Sequence, residues 1–131
     1  MKPLVHSKIS AKRFGGKPED YQELHDFFDS SKMCYPHMKH RAILHNSFGI
    51  YLLERVFGTY ITNSDGKQVS VRDVGEQHVL DDLGRIPTVQ DWLEHLELAE
   101  PWMRAEKKPR SMIYSFADPE EKTTTEETMV D

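Results

Sequence analysis

The sequence predicts a mainly α protein: a small bundle of four to five helices around one long helix over residues 36–57, with one β-hairpin over 59–71. Three observations carry this reading. Apolar residues recur at helical spacing, first in Tyr21, Leu24 and Phe28 and again in Val89, Trp92, Leu93 and Leu96. Helix-opening prolines (Pro3, Pro18, Pro36) and helix-closing glycines (Gly15, Gly58, Gly84) bracket the periodic stretches. Only one pair of short β-favouring runs, 59–62 and 67–71, flanks a turn-forming Asn63-Ser64-Asp65-Gly66.

Taken in order, Pro3 starts a short basic helix carrying Lys8, Lys12 and Arg13, which Gly15-Gly16 ends. Pro18-Glu19-Asp20 opens a second helix, its acids facing the positive helix end. There Tyr21, Leu24, Phe28 and Ser31 share the inner face with Phe27 beside them, and His25, Asp29 and Lys32 border it. The long pattern 36–57 carries three of the seven histidines. At about 100° per residue, Met38, Leu52 and Val56 fall in one sector, His45 projects into its middle, and Arg41 lies about 40° away. After the hairpin, Asp73-Val74-Gly75-Glu76 has the form of a capping box, an acid followed three residues later by glutamate. The helix it opens has Val79, Leu80 and Leu83 inward with Glu76 among them, and His78 on the opposite side. Thr88-Val89-Gln90-Asp91 starts the last helix, bounded by Pro87 and Pro101.

The domain organisation follows from composition: residues 1–103 read as one helical domain, and 104–131 as a linker and acidic tail. Residues 117–131 hold six acids against one lysine, while the rest of the chain holds 16 basic and 16 acidic side chains. A neutral body argues against a broad nucleic-acid footprint. The single cysteine, Cys34, excludes an intrachain disulfide and points to a reducing compartment, and there is no apolar run long enough for a signal peptide or a membrane span. The expected location is cytoplasmic.

Four segments together resemble a small uncharacterised family of bacterial and phage proteins, a domain of unknown function. They are Ser10-Ala11-Lys12-Arg13-Phe14-Gly15-Gly16-Lys17-Pro18-Glu19-Asp20-Tyr21, His40-Arg41-Ala42, Gly75-Glu76-Gln77-His78-Val79 and Asp82-Leu83-Gly84-Arg85-Ile86-Pro87-Thr88. The likeness runs over about residues 3–103. It implies a soluble prokaryotic or phage setting and brings no activity with it.

Site chemistry must therefore come from the residues. Histidines spread over several helices, with Asp26, Asp29, Asp81 or Asp82 nearby, suggest a divalent metal such as zinc held by His25, His40, His45 and His78, with His6 and His37 as further imidazoles. No dense chelating motif of the His-Glu-x-x-His kind is present. An alternative is an anion pocket in which Arg41 grips a phosphate or carboxylate and His45 donates to it, with Arg13 and Glu76 contributing. The competing expectation is that Arg41 pairs with an acid such as Glu54 or Asp29 and serves packing, and that Glu76 serves as a cap. Cys34 with His37 is a weak nucleophile pair, and the absence of a serine elbow leaves covalent catalysis without support. A metal-dependent hydrolase is the sharper version of the metal reading. The rival class is a non-enzymatic module that captures or inhibits a host protein through Trp92, Trp102 and Met103.

Overall fold

The computed structural model describes residues 1–106. Residues 1–95 form one compact unit; a second begins at Leu96, and of it the structure describes residues 96–106. Among the described residues the protein is mainly helical, with six α-helices and one two-stranded antiparallel hairpin. Of the linker and acidic tail expected over 104–131, residues 107–131 lie outside the described residues.

Helix α1 (Pro3–Phe14) has proline in its first turn and Lys12 and Arg13 in its last, the arrangement that complements the helix dipole. A 3₁₀ turn over Pro18–Tyr21 leads into α2 (Gln22–Asp29), which buries Leu24, His25 and Phe28. A further 3₁₀ turn, Ser30–Met33, follows. The predicted inner face is found here: Tyr21, Leu24, Phe28 and Ser31 are all buried.

The long helix expected over 36–57 is not continuous. It consists of a 3₁₀ turn (Met38–His40), a single turn α3 (Arg41–Leu44) and α4 (Ser47–Phe57). His45 is the centre of an inverse γ-turn, with φ −80° and ψ 67°, and the Asn46 amide donates to the Leu44 carbonyl at 2.8 Å. Asn46 turns its side chain into a cap for α4, accepting from the Gly49 amide at 2.8 Å and donating to the Ala42 and Ile43 carbonyls. The His45 carbonyl, freed by the break, accepts from Trp92 Nε1 at 3.0 Å. The break resets the helical phase, so Ile50 and Leu53 face the core while Met38 and Val56 are exposed.

Strands β1 (Tyr60–Thr62) and β2 (Gln68–Ser70) pair in the register Ile61 opposite Val69. Their connector is docked on the α1–α2 junction. Asn63 Nδ2 donates to the Phe14 carbonyl and the Tyr21 hydroxyl, and the Ser64 amide and hydroxyl donate to Asp20. Three amide or hydroxyl donors, the Lys17 amide foremost, hold the Asp20 carboxyl below its ordinary value.

Helix α5 (Val71–Leu83) is capped by Ser70, which accepts from the Asp73 amide, and not by the expected Asp73–Glu76 box. Its buried side is Val71, Val74, Gly75, His78 and Val79; Leu80 is exposed. The predicted inner face was rotated because a hydrophobicity count treats Gly75 and His78 as solvent-facing. A Cβ on Gly75 would come within 3.0 Å of Leu53 and 3.3 Å of Phe28, so this glycine lets α5 approach α4 and α2 closely. Helix α6 (Val89–Leu93) starts at Thr88 with a reciprocal cap from Asp91, as the sequence indicates.

The apolar core of Tyr21, Leu24, Phe28, Ile50, Leu53, Val69, Val71, Val74 and Val79 gathers α2, α4, α5 and the hairpin. No helix among the described residues is long and apolar enough to cross a membrane.

Candidate metal centre

Five histidines are buried: His6 on α1, His25 on α2, His40 and His45 at the ends of α3, and His78 on α5. Packed among them are Asp29, at the last turn of α2, and Asp82, one helical turn beyond His78. Burial of this many polar groups requires an account of each proton and each lone pair.

That account begins at Ser10. Its hydroxyl has one proton and lies 2.6 Å from Gln77 Oε1 and 3.1 Å from the His6 carbonyl, both of them acceptors. The other end of the Gln77 amide donates to the His6 carbonyl and, at 2.9 Å, to Asp81 Oδ2, which fixes its orientation. With its proton committed, Ser10 Oγ accepts from His25 Nε2 at 2.7 Å. Burial, then the neighbouring imidazoles of His78 and His6, push His25 down to about 2, so it is neutral and its Nδ1 is a bare acceptor. His78 Nδ1 fills that acceptor at 2.9 Å and so carries the proton.

The consequence falls on the far side of the His78 ring. Burial pushes His78 down to about 4 even though Asp82 opposes the shift, so the ring is neutral and Nε2 is a bare lone pair. This Nε2 stands 3.3 Å from Asp82 Oδ2 and 3.9 Å from Asp29 Oδ1, without a hydrogen bond. The ring stacks on His6 and on Phe28, with centroids 3.8 and 4.6 Å away.

His45 Nε2 lies 2.9 Å from Asp82 Oδ2 and 3.8 Å from Asp29 Oδ1. His40 Nε2 is 3.9 Å from the same Asp29 oxygen, while its Nδ1 contacts Ser31 Oγ at 2.8 Å. Burial and then the neighbouring His45 lower the His40 basicity, with Asp29 opposing and Lys32 and Arg41 adding to the effect. Burial works against the charge on Asp82, but hydrogen bonding, that with His45 Nε2 foremost, outweighs it and holds the carboxyl far below the usual carboxylate range. Asp82 Oδ1 also meets the Met1 ammonium at 3.2 Å and Arg41 at 3.6 Å. His6 donates through Nδ1 to Asp81 at 3.1 Å, leaving its own Nε2 unpartnered at 3.2 Å from Asp82 Oδ1.

Asp29, His45, His78 and Asp82 each offer one ligand atom within 4.8 Å of all the others. Ligands about 2.0–2.2 Å from one tetrahedral ion stand roughly 3.3–3.6 Å apart, in the middle of the separations seen here. His6, His25 and His78 meet the same distance limit. That trio is stacked face to face, with interplanar angles of 17–25°, and two of its members already bond each other, so its lone pairs do not converge.

Of the residues singled out from sequence, His40, His45, His78 and Arg41 come together at this cluster. His25 lies behind His78 and orients it. Glu76 is elsewhere, paired with Arg72 at 3.0 Å on the outer side of α5. Arg13 is exposed, its guanidinium over the Phe14 ring, and takes no part. Asp26 accepts from Gln22, and His37 caps its own turn by accepting from the Lys39 amide. Cys34 is exposed. Sequence reasoning missed Ser10 and Gln77, whose roles depend on contacts 67 residues apart. The one available signal was polar side chains at positions where a helix turns inward.

No match to this chain was found among curated proteins or among solved structures. A family model for a domain of unknown function matches residues 1–103, taking in every residue of the histidine cluster. The chain belongs to that family, the domain of unknown function DUF6915.

Proposed function

We propose that the protein binds one divalent transition-metal ion between Asp29, His45, His78 and Asp82. The observation that carries this reading is the bare His78 Nε2 facing Asp82 Oδ2 at 3.3 Å without a hydrogen bond. A lone pair and a carboxylate oxygen repel at that distance, and a cation held between them would relieve the cost of burying both unpaired. A proton would serve only with a hydrogen-bonding geometry that is missing, and burial already disfavours a charged His78. The second ring nitrogen of a metal-bound histidine ordinarily donates to a fixed acceptor, which is the role His25 plays toward His78. Two imidazoles and two carboxylates suit zinc, manganese, iron or nickel. A metal-dependent hydrolase is the activity such a centre would most directly serve. The single exposed thiol suits a cytoplasmic setting.

The test is elemental analysis of tag-free protein, with titration of the chelator-stripped chain by Zn²⁺ and Mn²⁺. One equivalent of metal, lost in His78→Ala and in Asp82→Asn with the helical circular-dichroism signal retained, is expected. A chain that neither retains nor takes up any of these ions would overturn the reading.

A further inference from the structure

Beside the cluster lies an open hollow of about 330 Å³ lined by Lys32, Pro36, His37, Met38, His40 and Arg41. His40 belongs to both places: its ring lines the hollow and its Nε2 lies 3.9 Å from Asp29 Oδ1. The lining has two fixed cations and no acid. Other hollows differ on this point. In one, Arg85 is paired with Asp91 at 3.1 Å; in another, Arg72 is paired with Glu76 at 3.0 Å. Lys32, by contrast, is exposed and has no ion-pair or hydrogen-bond partner among the described residues. Among the described residues Arg41 has one ion-pair partner, Asp82 at 3.6 Å, which is too long for a hydrogen bond and leaves the guanidinium fork unused.

We propose that this hollow, resting on the metal reading above, receives the terminal phosphoryl group of a phosphate monoester once the metal is bound. The charges decide the class of ligand. Without metal, Asp29 and Asp82 offset Lys32 and Arg41, and Asp81 offsets the Met1 ammonium that meets Asp82. With a divalent ion held by the Asp29 and Asp82 carboxylates, those two acids are neutralised and the two cations remain. A phosphate monoester dianion balances them, whereas a carboxylate monoanion balances one. Arg41 presents the planar fork that takes two phosphate oxygens, and Lys32 supplies a point charge at the rim. Anion binding is therefore conditional on the metal.

The test is calorimetric titration of inorganic phosphate, and separately of acetate, into the full chain before and after metal loading. Phosphate is expected to bind at least tenfold more tightly to the loaded protein than to the stripped one, and more tightly than acetate does. Lys32→Ala lies on the exposed rim and leaves the metal ligands untouched. It should weaken phosphate binding about tenfold with one equivalent of metal retained, and Arg41→Gln should do the same. Equal binding with and without metal, acetate binding as well as phosphate, or an unaffected Lys32→Ala protein each overturns the proposal. A protein that binds metal stoichiometrically but no phosphate refutes this inference alone, and one that binds no metal refutes both.

Discussion

His78 and Asp82 lie one turn apart on α5, with His78 Nε2 3.3 Å from Asp82 Oδ2 and no hydrogen bond joining them. Neighbours at i and i+4 on a helix meet as a matter of course. What is unusual here is the tautomer. A proton on Nε2 would find no hydrogen-bonding geometry toward Asp82. The chain Ser10–Gln77–His25 instead places the proton on the other nitrogen, so that two acceptors confront each other in the protein interior.

This arrangement makes His25 a positioning residue with a specific signature. His25→Phe keeps the ring volume but offers no acceptor to His78 Nδ1, and metal affinity should fall by about 10–100-fold. His25→Gln restores an acceptor and should recover much of that loss. Competition with a chromophoric chelator measures both. Equal affinities in the two variants would mean that only packing matters at this position.

The helix break imposes a different requirement. A Cβ on Gly49 would lie 1.8 Å from the Leu44 carbonyl oxygen, a backbone atom fixed by the γ-turn. Gly49→Ala should therefore cost more than the roughly 1–3 kcal/mol of ordinary overpacking. Gly75→Ala meets only side-chain atoms, at 3.0–3.4 Å, and should fall within that range or below it. Denaturant unfolding of the two variants compares them directly, and similar losses would contradict the geometry of the break.

Acid should destabilise the metal-free protein well above the carboxylate range. His25 and His78 are held down to about 2 and about 4, below the ordinary histidine value of 6.5. The unfolded chain takes up protons near pH 6.5 that the folded chain refuses. Their contribution is complete above that pH and is lost as pH falls from 6.5 toward 4. Each imidazole contributes a slope of up to about 1.4 kcal/mol per pH unit in that window. Urea unfolding in the presence of chelator at pH 7.5, 6 and 5 should show a falling midpoint. A midpoint flat over that range would show that these rings accept protons in the folded state.

The parts of the fold legible in the sequence are those in which one signal dominates. Tyr21, Leu24 and Phe28 are apolar at helical spacing and are buried; Thr88 and Asp91 form a local cap that needs nothing distant. The helix over 36–57 misled because propensity and apolar spacing both favour continuity. The break leaves the His45 carbonyl without a helical partner, and Trp92, 47 residues away, satisfies it. On α5 the buried stripe is valine, glycine, glutamine and histidine, which no hydrophobicity pattern marks as interior. The histidines were visible as residues, but their roles were not. Which imidazole faces a carboxylate and which only orients another depends on the Ser10 proton, and that proton is placed by contacts between α1, α2 and α5.

The γ-turn at His45 also defines what a chain must keep in order to carry this centre. Asn46 and Gly49 are not among the proposed metal ligands, yet one caps the helix after the break and the other clears space for the carbonyl before it. The diagnostic string is therefore His-Asn-x-x-Gly, followed about thirty residues later by His-x-x-x-Asp. A chain that retains every histidine but carries alanine in place of the glycine will aim its imidazole elsewhere. Counting histidines would place such a chain with this one, whereas the glycine would set it apart.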